Sequence, residues 1–170
     1  MKNIFKIILL LLTAISLLAS CQKEKISCEE LLEVGLEYGI DGYADNGYLF
    51  LKTDDEASAF FMTEKTKEIM YGQRFIDPLN ATKDFAIYIS SLSPYEIAIF
   101  ECHSKNDTDM LLRMCYERSD ELKIGLRFTE WGNASKAISI EVYEKYVIFV
   151  FTDSYYRNEG TVEEIKKLLN

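Results

Sequence analysis

Phe85-Ala-Ile-Tyr-Ile-Ser-Ser-Leu-Ser-Pro-Tyr-Glu-Ile-Ala-Ile-Phe-Glu-Cys102 is the stretch that decides the fold. Phe85, Ile87 and Ile89 alternate with Ala86, Tyr88 and Ser90, the period-two pattern of a strand. Ser91-Leu-Ser-Pro94 turns the chain, and Tyr95, Ile97 and Ile99 alternate with Glu96, Ala98 and Phe100. A turn this short joins antiparallel neighbours, because a parallel pair needs a crossover of a dozen or more residues. The stretch therefore predicts a β-hairpin.

A second hairpin follows the same logic. Ile138, Ile140 and Val142 alternate with Ser139, Glu141 and Tyr143, Glu144-Lys145 makes the turn, and Tyr146 to Phe151 is an unbroken apolar run. Such a run predicts a central strand covered on both faces. Around the hairpins the pattern turns helical. Ser27-Cys-Glu-Glu30 reads as a capping box opening a helix to about Tyr38. Asp41-Gly-Tyr-Ala-Asp-Asn-Gly47 is turn-rich, Tyr48 to Leu51 is a candidate short strand, and a second helix is expected from Asp54 to Tyr71, stopped by Gly72. Residues 73–84, with Pro78, read as a loop.

Asp107 or Thr108 caps a further helix to about Lys123, with Leu111, Met114, Cys115, Arg118 and Leu122 at three-to-four residue spacing. Thr161-Val-Glu-Glu164 reads as another capping box, with a helix to Leu169. The order is α-α-β-β-α-β-β-α. Hairpins in place of βαβ units predict an α+β class, an antiparallel sheet of two hairpins with helices packed on it.

The N-terminus addresses the chain to a compartment. Lys2 and Lys6 form a basic region, Ile7 to Leu18 an apolar one, and Leu18-Ala-Ser-Cys21 ends it as a lipobox, the site where bacteria cut a secretory leader and acylate the new N-terminal cysteine. A membrane span would need about 20 apolar residues. Lys6 interrupts this segment early, and a cysteine directly after Leu-Ala-Ser argues against a released protein. The expected organisation is a leader over 1–20, a lipidated Cys21 with a polar tether over 21–26, and one α+β domain over 27–170. Acyl chains on Cys21, palmitate among them, anchor the domain to the membrane without a second membrane element. The expected location is extracytoplasmic at the cell membrane, or at the outer membrane in a Gram-negative host.

Removing Lys2 and Lys6 with the leader leaves 17 basic residues against 28 acidic, a net charge near −11. That excludes nucleic acid as the expected partner, since such binding works by neutralising phosphates. It also disfavours a domain lying flat on anionic headgroups. With Cys21 acylated, Cys28, Cys102 and Cys115 remain, an odd number for a disulfide framework. Three buried reduced thiols are favoured over one bridge and one free thiol. Metal and cofactor motifs do not occur: there is no Cys-x-x-Cys, no second histidine, and no phosphate-binding glycine loop.

Two segments, with the lipobox, resemble a known pattern. Tyr95-Glu-Ile-Ala-Ile-Phe100 leads into a helix with Arg113 and Arg118, and Glu144-Lys-Tyr-Val-Ile-Phe-Val-Phe151 precedes a terminal helix. Over residues 85–169 the chain resembles a family of small single-domain lipoproteins from Gram-positive anaerobes, of unknown function. The resemblance implies a lipid-anchored extracytoplasmic domain and carries no catalytic residues. Residues 39–82 depart from it, being longer and richer in Tyr and Phe. Gln22-Lys23-Glu24 is similar to the surface-export tag of some Gram-negative lipoproteins, with Lys25 breaking it.

Candidate chemistry is thin. Cys102 and His103 are adjacent, and neighbours in extended chain point to opposite faces, so they do not share a proton easily. Asn106, Asp107 and Asp109 lack the glycine and glutamate spacing of a calcium loop. The best hint is aromatic: eleven Tyr, ten Phe and one Trp. Trp131 stands beside Gly132 and Asn133 between elements, and Tyr155-Tyr156-Arg157 reads as loop. Aromatics next to polar groups form binding hot spots, so Trp131, Tyr155, Tyr156 and Arg157 are the candidate ligand or partner contacts. The expected function is a non-catalytic binding or assembly domain of the cell envelope, recognising a protein or glycan. The alternative is an anchored hydrolase of wall or exported polymers, which needs two convergent carboxyl groups.

Overall fold

A computed structural model describes residues 26–42 and 46–170. The leader, Cys21, the tether up to residue 25, Tyr43 and Asp45 lie outside the described residues. Among the described residues no helix is long and apolar enough to cross a membrane.

The class is α+β. Both hairpins form, and they share one antiparallel sheet with an added edge strand. In chain order the elements are α1 (Cys28–Gly39), β1 (Gly47–Leu51), α2 (Glu64–Tyr71), α3 (Ile76–Asn80), β2 (Asp84–Ser90), β3 (Glu96–Glu101), α4 (Thr108–Leu126), β4 (Ser139–Tyr143), β5 (Tyr146–Phe151) and α5 (Tyr155–Leu169). The sheet order is β1-β2-β3-β5-β4, every pair antiparallel. The two hairpins join through β3 and β5, with Ala98 opposite Phe149.

All six residues of β3 and all six of β5 are buried, because helices cover both faces. On one face α1 and α5 close over Ala86, Ile97, Ile99, Ile148 and Val150. On the other, α2, α3 and α4 close over Ile87, Ala98, Phe100, Val147 and Phe149. Alternate residues of one strand thus feed two cores, as the pleat requires. Gly39 lets α1 lie close to α5 and the sheet, since a Cβ there would meet Thr161 Oγ1 at 2.9 Å and Ile97 Cδ1 at 3.1 Å.

Four local expectations are corrected. The helix expected from Asp54 begins only at Glu64, where the Thr63 hydroxyl accepts from the Thr66 N–H at 3.2 Å. Phe61 instead bridges Leu51 in parallel register. Residues 73–84 are not a plain loop: a 3₁₀ turn (Gln73–Phe75) leads into α3. Pro78 fits there because the first turn of a helix has unpaired N–H groups anyway. The terminal helix starts six residues before the expected Thr161 box. Ser154 is its cap, and the Thr161 hydroxyl donates back to the Arg157 carbonyl at 2.7 Å. Tyr155, Tyr156 and Arg157 therefore occupy the first turn of α5 and not a loop. The capping box at Ser27 and Glu30 forms as expected.

Candidate functional site

The two buried carboxylates among the described residues, Glu96 and Glu101, are structural braces at opposite ends of β3. Glu101 lies between the Lys83 and Lys145 ammonium groups, both at 2.8 Å. Beside it the Cys28 N–H, at the start of α1, donates to Asp84 Oδ2 at 2.9 Å. Glu96, five residues earlier, accepts two hydrogen bonds from Arg118 and one from the Tyr71 hydroxyl at 3.1 Å. Five residues of strand separate the two carboxylates by about 17 Å, and each is held by its own cations.

The three thiols are free, buried and kept in the neutral form. Burial is the main cause in each case. It pushes Cys102 up to about 11, with help from Asp107 and Glu101, and raises Cys28 and Cys115 further. A thiol becomes nucleophilic through a lowered pKa, so this environment works against reactivity. His103 stands on an open cleft of about 410 Å³ with Pro78, Asn106 and Met110. Asp107 is occupied in capping, accepting from the Ser104 N–H at 2.9 Å and its hydroxyl at 2.8 Å. Among the described residues no cluster of His, Cys, Asp and Glu could hold a metal.

The predicted aromatic set divides. Trp131 stands edge-on to Tyr95, centroids 5.2 Å apart, and Tyr95 in turn packs on Phe151 at 6.0 Å. Tyr95 and Arg157 line a cleft of about 220 Å³ with Asp41, Ser93 and Asp153. The Arg157 Nη1 donates to Asp41 Oδ2 at 3.0 Å, and that bond raises its pKa. Trp131 and Arg157 are thus neighbours of one residue, Tyr95, which the sequence did not single out. Tyr155 and Tyr156 stack edge-on at 5.8 Å. Tyr155 lines a separate cleft with Tyr116, Lys123 and Glu159, and Tyr156 is 86% exposed. Trp131, Arg157 and the Tyr pair lie at the Glu96 end of the sheet, whereas the chain enters α1 at the Glu101 end.

A groove the sequence did not reveal runs between α1 and β1. It measures about 410 Å³ and is lined by Leu32, Leu36, Leu49, Phe60 and Tyr88, with Glu29 and Glu33 at its rim. Tyr48 and Phe60, 63% and 44% exposed, flank it. Gly47 is required at its end, because a Cβ would lie 2.3 Å from the Tyr88 ring. The only sequence signal was the apolar run Tyr48-Leu-Phe-Leu51 after that glycine. A scan against protein-family models, a search of curated proteins and a search of solved structures each find no match to this chain.

Proposed function

We propose that this chain is a bacterial lipoprotein, cut before Cys21, acylated there and held outside the cytoplasm, whose folded part is a non-catalytic binding or assembly domain of the cell envelope. The observation that carries the binding role is the open groove between α1 and β1, apolar in its floor and bordered by exposed aromatics. Soluble domains seldom leave such surface uncovered unless something docks there. Arg157, Trp131 and the Tyr155–Tyr156 pair add a second patch, at the end of the sheet away from the start of α1. A membrane tether before Ser27 would leave that patch facing outward.

The hydrolase alternative draws no support from the buried carboxylates, which sit far apart, each held by its own cations. The anchoring reading rests on the lipobox, and its resemblance to small lipoproteins of Gram-positive anaerobes stays part of the proposal.

The test is crosslinking in living cells followed by purification of the intact chain, with Cys21→Ala as control. A labelled fatty acid should enter the natural chain and not the variant, and a discrete envelope partner should be captured only with the natural chain. Equal labelling of both forms would overturn the anchor. Capture of no partner by either form would overturn the binding role.

A further inference from the structure

The edge of β1 is built to take another strand. Asn46 accepts from the Ser91 N–H at 2.8 Å, and the Lys52 N–H donates to the Phe85 carbonyl at 3.0 Å. Even-numbered residues therefore turn their backbone groups toward β2, and odd-numbered ones turn theirs outward. The Leu51 N–H already finds the Phe60 carbonyl at 3.0 Å, so the outer side has begun to pair at one end. Gly47 and Leu49 point their N–H and C=O groups outward, and among the described residues no hydrogen bond reaches them. The strand Gly-Tyr-Leu-Phe-Leu carries no lysine or proline and no bulge, the usual devices that blunt an edge. Immediately beside this edge lies the groove floored by Leu32, Leu36 and Leu49.

We infer that this edge and groove bind an extended peptide segment of another protein, added as a sixth strand, with an aliphatic side chain and a lysine or arginine two residues apart facing α1. Strand addition of this kind takes affinity from backbone pairing and selectivity from pockets for alternate side chains. The aliphatic group meets Leu32 and Leu36. The basic group meets Glu29 and Glu33, one turn apart on α1, in a groove that no cation lines among the described residues. A second copy of this chain is the poorer occupant. Its own Gly47–Leu51 edge brings no positive charge to these glutamates, and each copy carries a formal net charge of −9. The inference rests on the reading of the domain as a binding module and names its partner's chemistry.

The test uses the full chain in detergent micelles and a fluorescein-labelled (Lys-Thr-Val-Thr)₂-amide, whose Lys and Val alternate along one face of the strand while Thr occupies the other. A twin peptide, N-methylated at alternate residues, has the same charge but cannot complete the ladder. Expected are saturable binding and slowed amide exchange at Leu49. Losing two ladder hydrogen bonds on N-methylation should weaken binding about tenfold or more. Leu49→Pro, which removes an outward N–H together with a side chain of the groove floor, and Glu33→Lys should each weaken binding. Glu33→Lys keeps the test open should the proline variant fail to fold. Equal binding of the two peptides would reduce the effect to bulk charge and overturn the inference. So would failure of both peptides to bind, or protection of Leu49 by self-association without peptide. If the peptide fails while crosslinking in cells still captures a discrete partner, only the strand-addition inference falls. If both fail, the binding role falls with it.

Discussion

The Arg118 guanidinium grips the buried Glu96 carboxylate with two hydrogen bonds, from Nε at 2.9 Å and Nη2 at 2.8 Å. It ties α4 to the first residue of β3, and the Tyr71 hydroxyl adds α2 to the same oxygen pair. Glu96 is 1% exposed. Removing one partner from such a pair leaves a charge without compensation. Arg118→Met is expected to lower unfolding free energy by about 3–5 kcal/mol. Replacing both, Arg118→Met with Glu96→Leu, should cost clearly less than the sum of the single changes. Urea unfolding of the four proteins of this cycle measures the coupling. Additive losses would mean the ion pair is not the brace described.

Asn158 is the joint that seats α5. Its Oδ1 accepts from the Thr152 N–H at 2.8 Å and the Thr152 hydroxyl at 2.7 Å, and its Nδ2 donates to the Ala137 carbonyl at 2.6 Å. The residue is fully buried. Asn158→Ala strands three polar groups and is expected to destabilise by about 3 kcal/mol. Amide exchange should locate the damage: the first turn of α5 and the 134–137 segment should open before β3 and β5 do.

Ser119 predicts the opposite sign. It is 1% exposed in the middle of α4, and among the described residues its hydroxyl finds no hydrogen-bond partner. Alanine removes an unpaired buried polar group and is the better helix former. Ser119→Ala should stabilise by about 0.5–1.5 kcal/mol. A lowered unfolding midpoint would show that the hydroxyl has a partner in solution.

Stability should fall in alkali. Burial, then the nearby Asp107 and Glu101, raise Cys102 from 9.0 to about 11. The folded thiol keeps its proton in a range where the unfolded thiol has lost it. Stability from this source is complete below pH 9 and declines as pH rises toward 11, because the unfolded state then binds fewer protons. Cys102→Ala should flatten the fall in urea midpoint between pH 9 and 11. Below pH 9 the three thiols should react with iodoacetamide only on unfolding.

Much of the architecture was legible because strand and helix periods are local properties. Alternation at 85–90 and 138–143, and the unbroken run at 146–151, marked both hairpins and the central strand. Ser27 and Glu30 marked a helix start by groups three residues apart. The misplaced starts of α2 and α5 have one cause. Acidic residues at Asp54–Glu56 and the Thr161–Glu164 spacing suit a helix N-terminus anywhere, and only packing selects the start. Phe61 pairs with Leu51 and keeps residues 52–63 extended or turned. Ser154 offers its cap where β5 ends, so α5 begins at once.

By itself the sequence determined the α+β class, the hairpin pairing, an acidic surface and the expectation of a lipid anchor at Cys21, since each is written in neighbouring residues. Tertiary structure alone decided that Tyr95 joins Trp131 to Arg157, that Glu96 and Glu101 are separate braces, and that α1 and β1 enclose a groove at an unpaired edge. Those relationships join residues far apart in the chain, such as Arg157 with Asp41 and Leu36 with Tyr88. Their proximity follows from the order in which strands pair and helices cover them, which no local period encodes.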